Sequence, residues 1–510
     1  NLTMTASHHS KGRRHGHSRR GHGRTKSVLW RINWLFIILA ALASGLVAYF
    51  LLTYKILAGR GYHLWVLGGL GAVLLFLILL NGLKRLGKTT LVLATIVILG
   101  ASYGAYQMNA TVNFFNKLNT NTQKKELTMS LATLAEGGVA DVSALDGKVV
   151  LAPLGQDRDN VQALVDDLKA KRQVTVTIQE VPSYLAAYQQ LLDGKAQAMV
   201  LNSGYESLLE GMASDFSSKI KKLYQYNHVT EVADQPAKPE PANQQTSQTP
   251  AENRPFNLYI SGIDTFGPVS SVSRSDVNVI ATINPKTHQI LLTTTPRDAY
   301  VPIADGGADQ KDKLTHAGIY GVEASMHTLA RLYDTPIDYY VRLNFTSFLN
   351  IIDTVGGIDV YNDQAFTSLY GKYDFPVGEL HLNADQALGF VRERYSLSGG
   401  DNDRGKNHEK VITALIKKLG SRQTLLQAQE VMDRMSQSVQ TNLPLAKVME
   451  LVNEQLESGQ AYTVTSVALT GHGSTGLPSY AMPGAELYMM QVDEASLAER
   501  QAQIKQVLGQ

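Results

Sequence analysis

The sequence predicts an α/β (α+β) protein on a membrane anchor: three N-terminal transmembrane helices, a small α/β accessory domain, and a C-terminal domain with a mixed, largely antiparallel sheet covered by helices. Three observations predict it. Apolar stretches recur near 34–52, 64–80 and 89–107, each about the ~17–25 residues a helix needs to cross the hydrocarbon layer. Strand-like and helix-like patterns alternate across 126–232. Two strand patterns, 277–283 and 290–295, are joined by the short turn Asn284-Pro285-Lys286, which makes them antiparallel neighbours.

Taken in order, residues 1–33 form a basic arm in which Lys11 to Arg31 is crowded with Arg, Lys and His, and no acidic residue precedes Glu126. The net charge of +2 therefore hides a strong asymmetry. Residues 34–107 hold the three spans. A secretory signal would show one such stretch and a small-residue cleavage site, so no cleavage is expected. The arm and the loop bearing Lys84, Arg85 and Lys88 are the most basic segments, which places both in the cytoplasm and everything beyond about residue 110 outside the cell. The loop 53–63, with Lys55 and Arg60, belongs outside. The chain has no cysteine, which permits an oxidising exterior. The expected location is the cell membrane, multi-pass, with the C-terminal domains extracellular.

Two motifs here invite other readings. Gly82-Leu83-Lys84-Arg85-Leu86-Gly87-Lys88-Thr89 fits the P-loop pattern, but that motif works only between a buried strand and a helix, and here it joins two spans. The arm's histidines (His8, His9, His15, His17, His22) are irregularly spaced and lack carboxylate or cysteine help, so a solvated arm against anionic lipid is the reading adopted. No nucleic acid is expected as a partner.

Residues 110–125 read as a polar stalk within the accessory segment 110–232. That segment reads as strand 148–152, helix 159–171, strand 174–181, helix 184–192, strand 198–201 and a longer helix 207–226. Asp157, Arg158 and Asp159 read as a turn and helix start. Residues 233–255, rich in Pro, Gln, Ala and Thr, cannot bury enough apolar surface to fold and read as a linker. The last domain, 256–510, opens with a strand at 256–263. Helical periodicity follows at 319–333, 345–355, 384–391, 408–419 and 424–435.

Arginine recurs beside acidic residues in that domain: Arg274-Ser275-Asp276, Pro296-Arg297-Asp298, Val391-Arg392-Glu393-Arg394 and Asp401-Asn402-Asp403-Arg404. A guanidinium fork matches phosphate oxygens bidentately and stays charged at any working pH. Interleaved aspartates are what Mg2+ needs beside a phosphate. No polymerase or kinase pattern accompanies them, so the set points to a pyrophosphorylated ligand. Arg274, Arg297, Arg392, Arg394 and Arg404 would supply the clamp. Asp264, at the end of the 256–263 strand, and Asp276 could hold Mg2+ or accept a proton; a metal-bound carboxylate is a poor base, so one residue would not do both. Asp298 is expected to orient Arg297 and Asp403 to orient Arg404. Arg392 and Arg394, on alternate positions of a strand, would share a face. Lys313 and His316 read as supporting residues.

The order of these motifs, with Lys313-Leu314-Thr315-His316-Ala317, Asp353-Thr354-Val355-Gly356-Gly357 and Asp403-Arg404-Gly405-Lys406-Asn407-His408, resembles the LytR–CpsA–Psr family of cell-envelope proteins. The three-span anchor and the additional α/β domain resemble its capsule-locus members. The resemblance implies a membrane-anchored glycopolymer phosphotransferase with Mg2+ as cofactor. It would move capsular polysaccharide from a polyprenyl-pyrophosphate lipid to peptidoglycan, with Asp264, Asp276 and Arg297 at the reaction centre. It implies a hydrophobic prenyl tunnel, for which Phe345, Phe348, Leu349 and Ile352, otherwise core residues, are candidates. One position departs from the family pattern: His408 stands where glutamine is common. Lining the pocket and protonated, it would donate to phosphate and make activity pH-dependent; on the helix surface it would do neither. Two rival readings are a regulator or scaffold that touches capsule-synthesis membrane proteins, and a polyprenyl-pyrophosphate hydrolase.

Overall fold

The computed structural model describes residues 20–84, 86–122, 124–231, 253–266, 269–419, 428–435 and 439–510. The expected linker and most of the arm lie outside them, as does the start of the 424–435 helix, of which Ala428–Met435 is described.

Residues up to Asn109 form one compact unit. Among the described residues, three helices are long and apolar enough to cross a membrane: Val28–Thr53, Gly59–Gly82 and Gly87–Asn119. The first helix starts at Arg20, inside the stretch read as arm. The P-loop-like stretch links the end of one apolar helix to the start of the next, with no strand before it. Asn33 donates to the Asn81 side chain at 3.2 Å and to the Gly87 carbonyl at 2.9 Å, tying the apolar helices together.

The second unit starts at Ala110. The expected stalk is helical, the end of the Gly87–Thr122 helix. The accessory domain that follows has, among the described residues, a five-stranded sheet in the order Thr177–Glu180, Val149–Ala152, Ala198–Asn202, Lys124–Leu134, Ile220–Glu231. Of its helices, Tyr184–Leu192 is as expected; Leu154–Arg172 begins before the expected 159, so Asp157, read as a turn, sits at a kink inside it, and Ser203–Met212 begins before the expected 207. The long helix expected at 207–226 ends at Met212, and Ile220–Glu231 is a strand. The spacing Ile220, Leu223, Tyr224 imitates a helical face. It arises instead from a β-bulge: Leu131 pairs with Tyr224 but Ala132 with Lys222, so Leu223 is the extra residue. Lys124–Leu134, the strand on which Ile220–Glu231 pairs, was not anticipated.

In the C-terminal domain the central sheet has six strands among the described residues. Their order is Val439–Thr441, Tyr339–Leu343, Phe256–Ile263, Ser275–Asn284, Gln289–Thr294, Thr463–Ala468. Pairings to Val439–Thr441 and within 256–294 are antiparallel; Phe256–Ile263 with Tyr339–Leu343, and Gln289–Thr294 with Thr463–Ala468, are parallel. The expected hairpin is closed by Asn284, whose side-chain oxygen accepts from the backbone N–H of Lys286 at 3.0 Å. Alternation then sorts the strands' side chains. Tyr259 and Ile280 enter a core with Met326, Leu329 and Ile504 from the helices Val322–Leu332 and Glu494–Leu508. Val279, Ala281 and Leu292 face the other way, toward Ile412. On that second face lie the helices Phe345–Thr354, Ala384–Arg392 and Asp401–Leu419. Capping boxes start the first two, Asn344 with Ser347 and Asn383 with Gln386.

Candidate active site

A cavity of about 200 Å3 opens between the second face of the sheet and those three helices. Ile260 to Ile263 and Val277 line it from the sheet, and Leu343, Phe345 and Phe348 from the strand-to-helix junction. Leu388 and Val391 come from the Ala384–Arg392 helix. The Asp401–Leu419 helix supplies Arg404, His408, Val411, Ile412 and Leu415, whose spacing keeps one face to the cavity over roughly 16 Å at 1.5 Å per residue. Of the other tunnel candidates, Ile352 is fully buried core beside Val355 and Phe390.

The charged residues gather where the strands begin and end. A β-bulge between Gly262 and Ile263 ends the pairing of Phe256–Ile263 beside Ser275, so Asp264 and Asp276 face the same cavity. A Cβ on Gly262 would stand 2.8 Å from Val277, so only glycine lets the strands approach there. Burial, and then the negative charge of Asp276, pushes the Asp264 carboxyl above its usual range. Asp276 accepts from Arg297 at 2.9 Å and from the Thr315 hydroxyl at 3.0 Å. Arg392 reaches Asp264 at 3.6 Å, with its guanidinium 4.4 Å from the Phe345 ring centre and 5.1 Å from that of Tyr370. The two rings hold the group in place while leaving its edge free for oxygen acceptors.

Arg297 does not line the main cavity but borders a smaller hollow with Asp276, Arg404 and His408. Burial disfavours its charge, yet Asp276 and Asp298 outweigh that and raise it. Arg274, next but one to Asp276, is half-buried, and burial lowers it. Among the described residues the Nε–H groups of both Arg274 and Arg297 are buried without an acceptor. Such donors are costly unless an anion meets them.

Asp298 is buried and contacts Lys313 at 2.7 Å, Arg394 at 3.7 Å and Arg297 at 3.9 Å. It therefore binds three cations rather than orienting Arg297 alone. Burial works against its charge, but Lys313 and the arginines hold its carboxyl below the usual range. Arg392 and Arg394 are not on a strand: Arg392 ends the Ala384–Arg392 helix and Arg394 follows in a loop. The buried Glu393 carboxylate fixes that loop by accepting from the N–H groups of Leu369, Arg394 and Ser396. The partner of Arg404 is Asp401, one helical turn away, not Asp403. Asp403 instead accepts from the Gly399 N–H at 2.7 Å and from Gln364 at 3.0 Å, starting the helix.

His408 lines the cavity, and its Nε2 stands 2.9 Å from the Val391 carbonyl. A carbonyl only accepts, so this nitrogen carries the proton and its N–H is occupied. Burial, then the charge of Arg404, pushes the imidazole down to about 3, so it is neutral at working pH and offers no cationic donor to phosphate. His316 pairs with Asp312 at 2.9 Å, and Ser479 and Ala481 complete that carboxylate. Thr315 and Asp401 carry site contacts that the sequence reading passed over. An Asp–Arg pair three apart on a helix was the available signal for Asp401; Thr315 had none.

Comparison with known proteins agrees with this domain. The model of the LytR_cpsA_psr family matches residues 219–506, more than half of the chain. A second model, DNA polymerase processivity factor, matches residues 84–201 only. The chain is 32% identical over 263 residues to the polyisoprenyl-teichoic acid–peptidoglycan teichoic acid transferase TagU of Oceanobacillus iheyensis, covering 49% of this chain and 79% of that one. It is 30% identical over 271 residues to the protein of the same name from Bacillus cereus, covering 52% and 88%. Among solved structures, Bacillus subtilis TagV is similar at 26% identity and a TM-score of 0.43, covering 50% of this chain and 98% of that one. A structure described as TagT bound to LIIa-WTA matches at 27% identity and a TM-score of 0.43, covering 52% and 95%. On the family match and these relatives, the chain belongs to the LytR_cpsA_psr family.

Proposed function

We propose that this chain is a membrane-anchored phosphotransferase. It moves a glycopolymer, of the capsular polysaccharide class, from a polyprenyl-pyrophosphate carrier to a peptidoglycan hydroxyl. The single observation that carries the reading is a cavity apolar along its helical wall and charged where Asp264, Asp276, Arg392 and Arg404 meet. An isoprenoid tail suits the first part and a pyrophosphate the second. The relatives' names, which pair a polyisoprenyl-linked polymer with peptidoglycan, agree with it.

In the step proposed, the acceptor hydroxyl oxygen attacks the phosphorus next to the sugar. A new phosphodiester forms, the P–O bond to the second phosphate breaks, and polyprenyl monophosphate leaves. The hydroxyl proton passes to a carboxylate of the Asp264–Asp276 pair. Arg392, Arg404 and Arg297 neutralise charge that grows on the phosphate oxygens. The bond energy is stored in the pyrophosphate, so no ATP is required outside the cell.

One of these two aspartates would hold Mg2+, leaving the other free to take the proton. The two face one cavity, and their mutual repulsion is a cost that a cation removes. Among the described residues no group of three or more His, Cys, Asp or Glu is placed to hold a metal. One carboxylate completed by phosphate oxygens and water is a usual set for Mg2+. When bound, the ion would supply further neutralisation of the pyrophosphate.

Native mass spectrometry of the full chain purified from bacterial membranes tests the ligand. A retained polyprenyl mono- or pyrophosphate, lost in Arg392→Ala and Arg404→Ala, is the expected result. No retention after adding a synthetic polyprenyl pyrophosphate would overturn the reading in favour of the regulator.

A further inference from the structure

Two segments position the carboxylate and arginines of the site, and both are gripped by the accessory domain. The first is 269–273, leading into Arg274. Its backbone pairs with the accessory strand Lys124–Leu134: the Glu126 N–H donates to the Ser270 carbonyl at 3.4 Å, and the Val272 N–H donates to the Glu126 carbonyl at 3.3 Å. Val272 is itself buried in the accessory core. From the transferase side Arg342 holds the same segment, donating to the carbonyls of Val269 at 2.6 Å and Ser271 at 2.8 Å.

The second is the turn Leu314–Tyr320. At one end Thr315 donates its hydroxyl to Asp276, and its N–H donates to the Arg297 carbonyl at 2.9 Å. At the other end Ile319 is buried in the accessory core, and Lys125 donates to the Tyr320 carbonyl at 2.5 Å. Gly204 of the accessory domain abuts Ile319, where a Cβ would stand 3.4 Å from its carbonyl oxygen. The two segments also press on each other. A Cβ on Gly318 would be 2.4 Å from the Ser273 carbonyl oxygen and 2.5 Å from the Ser275 nitrogen.

We infer that the accessory domain is a positioning module for the transferase site, holding the Arg274 segment and the Leu314–Tyr320 turn, and through them Asp276 and Arg297. Lys125 and Ile319 are its positioning residues; neither lines the cavity. A domain that was merely tethered would need no shared core and no backbone pairing beside Arg274. A reacting group misplaced by about 1 Å can cost on the order of 10²-fold in rate. The inference rests on the transferase reading above.

The test uses the full chain in detergent with a synthetic glycan-linked polyprenyl pyrophosphate as donor and peptidoglycan as acceptor. Lys125→Met and Ile319→Ala are compared with Ile319→Leu and with Lys195→Ala, an exposed accessory-surface control. Lipid retention by native mass spectrometry should stay within about 2-fold while kcat falls at least ~10-fold in Lys125→Met and Ile319→Ala. Ile319→Leu should restore the rate, and Lys195→Ala should leave it unchanged. Folded variants that transfer at the wild-type rate, or that lose lipid and rate in parallel, overturn the inference alone. Lys125→Met keeps the aliphatic stem and decides the matter if Ile319→Ala does not fold. A wild-type chain that neither retains lipid nor transfers overturns the transferase reading, and this inference with it.

Discussion

Asp276 stands at the meeting point of the site's contacts. It accepts from Arg297 and Thr315, and its charge adds to burial in raising Asp264. Removing a preorganised charged donor from such a site costs about 10²- to 10³-fold in turnover. Arg297→Ala should therefore lower the transfer rate by that order with little change in lipid retention. Arg297→Lys should recover only part of it, because a point charge lacks the planar fork. The pH dependence follows from Asp264. Its acid is raised, so the proton-accepting pair is lost as pH falls through that raised value, and activity should fall on the acid side. Asp276→Asn removes the like charge that helps raise it, so whatever rate survives should persist to lower pH than in wild type. A pH–rate profile of the two chains checks the sign. His408 should contribute no step to it, being neutral throughout the working range. At this scale the sequence was most legible for arginine, since five guanidinium groups beside carboxylates have few uses other than phosphate. Pairing was less legible: Arg404 chose Asp401 over the nearer Asp403 because helical geometry aligns residues three apart.

The Asp401–Leu419 helix serves the site with one face and the sheet with another. Ile412 lines the cavity, so Ile412→Trp should fill it and cut retention of a polyprenyl pyrophosphate at least ~10-fold, measured by native mass spectrometry, if the tail lies there. Next to it, Glu409 is buried against the sheet and accepts from the Thr294 hydroxyl at 2.6 Å. Burial pushes its carboxyl from 4.5 up to about 7. A raised acid favours the folded state fully below 4.5, and that advantage is lost as pH rises toward about 7. Glu409→Gln keeps an acceptor for Thr294 without the ionisation. It should gain stability relative to wild type between pH 5 and 7 and then level off, by roughly 3 kcal/mol at most. Thermal melts across that range check it. Helices with a clear apolar face, such as Tyr184–Leu192 and Ala384–Arg392, were legible nearly to the residue. Ile220–Glu231 was not, because a bulge gave a strand the spacing of a helix. Arg392 and Arg394 were misassigned to a strand because what fixes their loop is Glu393, a contact with no local signature.

Over the whole molecule, the charge asymmetry and the apolar helices made the anchor legible from composition alone. What composition could not show is that the accessory and transferase domains share a core, with Val272, Ile319 and Met482 buried among accessory residues. Long-range packing of that kind leaves no periodicity in either segment. The proposed orientation is testable because the chain has no cysteine. Single substitutions Ser10→Cys and Thr475→Cys in intact cells, probed with a membrane-impermeant maleimide, should label only at Thr475→Cys. Labelling at Ser10→Cys alone would reverse the topology. The central claim is transfer, and the most direct measurement incubates the purified full chain with a glycan-linked polyprenyl pyrophosphate, peptidoglycan and Mg2+. Phosphodiester-linked glycan on peptidoglycan and polyprenyl monophosphate should appear in equal amounts. Polyprenyl monophosphate released with free glycan phosphate, or no turnover at all, would contradict it.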